Sequence, residues 1–242
     1  MTGVSDGLAT TPPASRRSGT FLVISFSGLD GAGKTRQIRS VQAELAGRGL
    51  ASEVAWIPFK IWPEPLLNRL PASFRSRLGP KRTSGAGPAG PVKAPTALAR
   101  LRSTVARQVW TAVAVCAAVS TGLSLRRRVR GLDAPVVILD RYRLDSAVKL
   151  RFWYADVRPG LLLGLVRRLA PAPDLELLLR VRPEVAYARK PEQWSVSQLA
   201  RQATAYDESA RGSAVVVLDG EAPPSDVAAE IARRLHAVLD AR

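Results

Sequence analysis

The chain has 242 residues, 46% hydrophobic and 23% charged, a globular balance that suits one α/β domain or at most two small ones. One cysteine (Cys116) and one histidine (His236) exclude a disulfide framework, a zinc site built on several thiolates and most His-centred chemistry; neither has a suitable partner, so Cys116 is expected in the core and His236 on the surface. Of 36 Lys and Arg, 30 are Arg, and the net charge of +16 suits anionic partners such as phosphates and nucleotides, unless it is a plain compositional bias toward solvated Arg.

Residues 1–20 are rich in Ser, Thr, Pro and Gly and read as a disordered tail. Arg16-Arg17 lacks the long apolar segment and small-residue cleavage site of an export signal, so a cytoplasmic protein is expected. Residues 21–27 (FLVISFS) read as a buried strand. A glycine-rich loop follows, then a helix over 34–47 with Ile38, Val41, Gln42 and Leu45 at helical spacing, stopped by Gly47 and Gly49. A second strand is expected at about 52–57. Residues 58–75 read as a loop with short helices, and 79–95, dense in Gly and Pro, as a mobile insertion.

Residues 96–130 read as one long helix whose centre, 109–125, is nearly all apolar. Its Thr111, Ser120, Thr121, Gly122 and Ser124 argue for a buried core or dimer helix over a membrane span, which needs about 20 apolar residues. The arginines of 126–130 complement the dipole at its C-terminal end. A third strand, 135–139, leads into Asp140-Arg141-Tyr142. A fourth is expected over 174–181 and a fifth over 214–218, with a closing amphipathic helix from 227 to 239. Strands alternating with helices imply a parallel sheet joined by right-handed crossovers.

The loop Gly28-Leu29-Asp30-Gly31-Ala32-Gly33-Lys34-Thr35 matches G-x-x-x-x-G-K-[ST] in full, between a strand and a helix. Its glycines let consecutive main-chain N–H groups surround a phosphate, and the helix N-terminus adds its dipole. Lys34 is expected to reach the β- and γ-phosphates of ATP, and Thr35 to complete a Mg²⁺ shell. Asp140, ending a central strand where ligands gather in parallel sheets, is the expected second Mg²⁺ ligand.

These segments, with Leu139-Asp140-Arg141-Tyr142, residues 178–186 (LLRVRPEVA) and Val217-Leu218-Asp219-Gly220, resemble thymidylate kinases over roughly residues 20–240. The resemblance implies a three-layer P-loop kinase fold, with a five-stranded parallel sheet flanked by helices over 21–242. It implies ATP and Mg²⁺, with transfer from ATP to dTMP as the family default. Asp30 then lies near the acceptor and its phosphate-binding arginine, and Arg141 grips the acceptor phosphate. Asp219 and Gly220 form the adenine-side loop, and a basic lid offers Arg189 and Lys190, with Arg201 behind them. The long apolar helix is similar to the family's dimer helix, so a homodimer is implied.

The chain also departs from the family. Ser27 stands where an acid is usual, and Arg36, counted with the nucleotide-binding loop, where Thr or Ser follows the Walker threonine. An Arg-Glu-Pro-Gly segment is replaced by 57–63 (IPFKIWP). The expected Ser and Ala-Tyr-Gln, which face base and sugar, are replaced by Asp145-Ser146-Ala147-Val148-Lys149-Leu150. The ATP half is kept and the base-reading half rewritten, so the expected acceptor is a small phosphorylated or hydroxylated molecule, a nucleoside monophosphate first. Asp145 either bonds that acceptor or caps a helix. Two alternatives stay open. One is a similar kinase with a sugar or lipid-linked acceptor, distinguished by 57–70 and 145–150. The other is a nucleic-acid-stimulated ATPase, for which only Trp153 and Tyr154 beside Arg151 supply the needed aromatics; nucleic acid is not the expected partner.

Overall fold

The computed structural model describes residues 22–56, 104–132, 134–153, 159–191 and 194–241. The expected tail (1–20), the acceptor-side stretch 57–70, the insertion 79–95, the helix start 96–103, Tyr154 and the side chain of Trp153 lie outside the described residues. Among the described residues five strands are seen: β1 (Leu22–Gly28), β2 (Ser52–Trp56), β3 (Val136–Asp140), β4 (Leu175–Arg180) and β5 (Val216–Asp219). The helices are α1 (Lys34–Gly47), α2 (Thr104–Arg130), α3 (Arg143–Trp153), α4 (Pro159–Leu169), α5 (Pro183–Arg189), α6 (Val196–Ala210) and α7 (Pro224–Asp240).

The strands form one all-parallel sheet in the order β2-β3-β1-β4-β5. The expected three-layer α/β architecture is what the molecule has, and side-chain alternation explains it. In β1, Leu22, Ile24 and Phe26 pack with Ile38, Val41 and Leu45 of α1 and Val227, Ile231 and Leu235 of α7. Val23 points the other way, to Ala117, Ala118 and Leu125 of α2 and Leu162 and Val166 of α4. β3 repeats the pattern, with Val136 and Ile138 on one face and Val137 and Leu139 on the other. A period of two on a sheet buried on both sides requires a helical layer on each.

β1 sits centrally between β3 and β4. The chain leaves it through α1 to edge strand β2, returns to β3, and then crosses to β4 on β1's other side. Its C-terminal end is thus a switch point, where Gly28 pairs with Leu179 and Phe26 with Asp140.

Three expectations are corrected. Cys116 is exposed, not in the core. α2 buries the stripe of Ala114, Ala117, Ala118, Thr121, Leu125 and Val129, and Cys116 falls off it. His236 is half-buried and has a partner, lying 2.7 Å from Glu44 across the α1–α7 contact. The fifth strand runs two residues later than expected at its start, and ends on Asp219. No described helix is long and apolar enough to cross a membrane.

Candidate functional site

The loop between β1 and α1 is built by close approach. A Cβ on Gly28 (φ 138°) would lie 2.5 Å from the Leu179 carbonyl oxygen, and one on Gly31 (φ 91°) 2.5 Å from that of Ala186. Only glycine lets the loop settle between the ends of β4 and α5. Lys34 is buried and turned into the loop, its ammonium donating to the carbonyls of Gly28 and Leu29, both at 2.8 Å. Burial pushes its pKa down and Arg141 pushes the same way, against the pull of Asp145, Asp30 and Asp140. Thr35 and Arg36 are exposed at the start of α1.

On the β3 side, the loop meets Asp140 and Arg141. Asp140 Oδ1 is buried and has no hydrogen-bond partner among the described residues. Burial raises its pKa, only partly offset by Lys34 and Arg141. An orphaned buried carboxylate oxygen beside a phosphate-type loop fits a cation ligand. Arg141 takes a left-handed φ of 72° while its N–H donates to Phe26 O at 3.0 Å. That conformation turns its guanidinium back across the loop onto Asp30, with Asp145 Oδ1 at 3.6 Å. Burial opposes its charge, but Asp145 and Asp30 outweigh that and hold it more firmly protonated. For Asp30, burial is likewise outweighed, by Arg141, Lys34 and Trp194, and its carboxyl lies below its ordinary value.

Asp145 is neither a free ligand nor a simple cap. It is buried, accepts from Ser27 Oγ and Tyr206 OH at 2.6 Å each, and from the Tyr142 N–H at 3.2 Å. The last bond caps α3; the others make Asp145 an internal counter-ion to Arg141. Ser27, standing where an acid was expected, passes its contact to this carboxylate. One turn along α3, the half-buried Lys149 lies within electrostatic reach of Arg141, Asp145 and Asp30.

On the β5 side, Gly220 donates to Arg180 O at 2.7 Å, and a Cβ there would stand 3.2 Å from Ala32 O. Arg189 spans the gap, donating to Gly220 O at 2.9 Å and, at 3.4 Å, to Gly31 O. A cavity of about 430 Å³ opens here, lined by Gly31, Gly33, Arg36, Arg189, Gly220 and Pro223 among others. Asp219 lies outside it: its carboxylate accepts from the Glu221 N–H at 2.8 Å and shapes the turn. Arg201 is exposed on α6.

The fold thus gathers Asp30, Lys34, Asp140 and Arg141 on one side of the loop, and Arg189 and Gly220 on the other. Trp194 and Tyr206 were missed by sequence reading. Trp194 Nε1–H donates to Asp30 Oδ2 at 3.1 Å. Neither aromatic belongs to a motif; only the packing of α6 against α3 and α5 brings them in. No protein-family model matches the chain, and comparison with curated proteins found no match.

Proposed function

We propose that this protein is an ATP-dependent phosphotransferase, similar in plan to thymidylate kinases, acting on a small anionic acceptor of the nucleoside monophosphate class. The observation that carries the reading is the pairing of a full G-x-x-x-x-G-K-[ST] loop at the switch point with a guanidinium, Arg141, turned over that loop by its own strained backbone. A phosphate chain entering the loop meets the main-chain N–H groups and the α1 N-terminus, and Lys34 exchanges a carbonyl partner for phosphate oxygens. Arg189 and the turn at Gly220 border the cavity that takes the base. Arg141 offers two parallel donors to the acceptor's anionic group and aligns it with the γ-phosphate. Asp140 and Thr35 would hold Mg²⁺, which when bound offsets charge on the phosphate oxygens.

Acceptor identity is a separate matter. Asp145 is fully engaged within the protein and Lys149 stands where the resembling family reads base and sugar, so selectivity for thymine has no support in these residues. That observation favours, as a second reading, a phosphorylated sugar or lipid-linked acceptor. The test is a screen with labelled ATP against all ribo- and deoxyribonucleoside monophosphates, sugar phosphates and lipid phosphates, with Lys34→Ala as blank. One acceptor group is expected to turn over, and Lys34→Ala to abolish that turnover. Undiminished transfer by Lys34→Ala would overturn the proposal.

A further inference from the structure

Trp194 has no part in the chemistry above, yet its indole reaches into it. Asp30 gives one carboxylate oxygen to Arg141 and the other, Oδ2, to Trp194 Nε1–H at 3.1 Å. Both oxygens are therefore assigned, and the carboxylate plane is fixed from two sides. The anchor behind the indole is firm. Trp194 packs against the main core cluster, and Ser195 caps α6 in a reciprocal box, with Gln198 N–H to Ser195 Oγ at 3.3 Å and Ser195 N–H to Gln198 Oε1 at 2.9 Å. Further along, the same helix donates Tyr206 OH to Asp145, the second carboxylate facing Arg141. Both counter-ions of Arg141 are thus held by hydrogen bonds from one element and the residue that precedes its cap.

Folding of α6 does not require a donor at position 194, since a phenyl ring packs on the same core. What the N–H adds is control of Asp30. An anion that takes Arg141 has to displace or share Asp30 Oδ1, and a carboxylate still held through Oδ2 pivots aside instead of collapsing onto the incoming charge. We infer that Trp194 is a positioning residue of this site, acting through Asp30 to govern how Arg141 receives the acceptor's anionic group, and coupling that event to α6. The inference rests on the assignment of Arg141 as the acceptor's anion site.

Two measurements on the full chain test it. In the first, ¹⁵N-labelled protein saturated with ADP and Mg²⁺ is titrated with inorganic phosphate, up to tens of millimolar. The Trp194 indole N–H resonance, identified by its loss in Trp194→Phe, is expected to shift in the wild type and to stay still in Asp30→Ala, where the indole has no acceptor. An indole resonance that ignores phosphate in the wild type overturns the inference. In the second, acceptor kinetics are compared in a double-mutant cycle. Trp194→Phe is expected to raise the acceptor KM about tenfold with the ATP KM unchanged, to be silent in an Asp30→Ala background, which leaves the indole no acceptor, and to be largely rescued by Trp194→His, which restores a ring N–H. Equal effects of Trp194→Phe in both backgrounds would mean simple packing and also overturn it. If the indole answers phosphate but no acceptor is phosphorylated, the kinase reading fails while the role of Trp194 at an anion site stands.

Discussion

Arg141 is, among the described residues, the one non-glycine with a left-handed φ, a conformation that costs about 1–2 kcal/mol for an L-residue. Arg141→Gly relieves that strain but leaves Asp145 buried without its cation, a loss worth about 3–5 kcal/mol. The second effect is the larger, so Arg141→Gly should be less stable than wild type by roughly 2 kcal/mol in urea denaturation despite the easier backbone. A more stable variant would show that Ser27, Tyr206 and Tyr142 satisfy Asp145 on their own. Asp30 gives a pH signature. Its folded pKa is lowered from the ordinary 3.8, so its contribution is fully present above that value and is lost as pH falls through the folded pKa. Wild type should therefore lose its advantage over Asp30→Asn on acidification below about pH 4, which denaturation midpoints taken from neutral pH downward will show. A gap that persists unchanged into strong acid excludes Asp30 as its source.

At the level of elements, two glycines at the ends of α1's neighbourhood make a controlled pair. Gly31→Ala drives a methyl to 2.5 Å from the Ala186 carbonyl oxygen, so α5 must move, and nucleotide affinity should drop at least tenfold. Gly47 has nothing within 4 Å of an added Cβ and closes α1, so Gly47→Ala should be neutral or gain about 0.5–1 kcal/mol. Equal binding of ADP by the two variants would disprove the tight seating of the loop between β4 and α5. Native-state labelling of Cys116 checks α2: a maleimide should react stoichiometrically without unfolding, whereas protection would restore the core expectation. These contrasts mark what could be read in advance. The shape of the loop was legible because it depends on glycines at close approach, which the sequence displays directly. Strands β1, β3 and β4 were legible because a sheet buried on both faces leaves long apolar runs. α2 was opaque for the opposite reason: apolar on every side, it offers no polar face to say which stripe packs, and small Ala114, Ala117 and Ala118 proved to be the buried one. The pairs Ser27 with Asp145, Tyr206 with Asp145 and Trp194 with Asp30 could not be connected at all, because they lie 61 to 164 residues apart and meet only through the fold.

Over the whole molecule, the loop is part of the core it leaves. Leu29 and Ala32 belong to the same buried cluster as α1, α7 and the central strands, so a ligand that fixes the loop stabilises the folded chain globally. Mg·ADP at about 100 times its Kd should add about 2.7 kcal/mol, and at this chain length each kcal/mol moves Tm by about 2–4 °C, giving a rise of roughly 5–10 °C. A chain of net charge +16 will also be stabilised by any anion that screens its self-repulsion, and a nucleotide titration alone confuses the two effects. They separate through Lys34. Screening acts on the summed surface charge, of which a buried ammonium is a negligible part, whereas the seating of a phosphate chain proposed above depends on that ammonium. Sulfate at matched ionic strength should therefore raise Tm equally in wild type and Lys34→Ala, and Mg·ADP should raise it several degrees further in wild type only. If Mg·ADP and sulfate move the two proteins in parallel, the basic surface and not the loop is what the nucleotide sees, and the catalytic assignment of Arg141 and Asp30 goes with it.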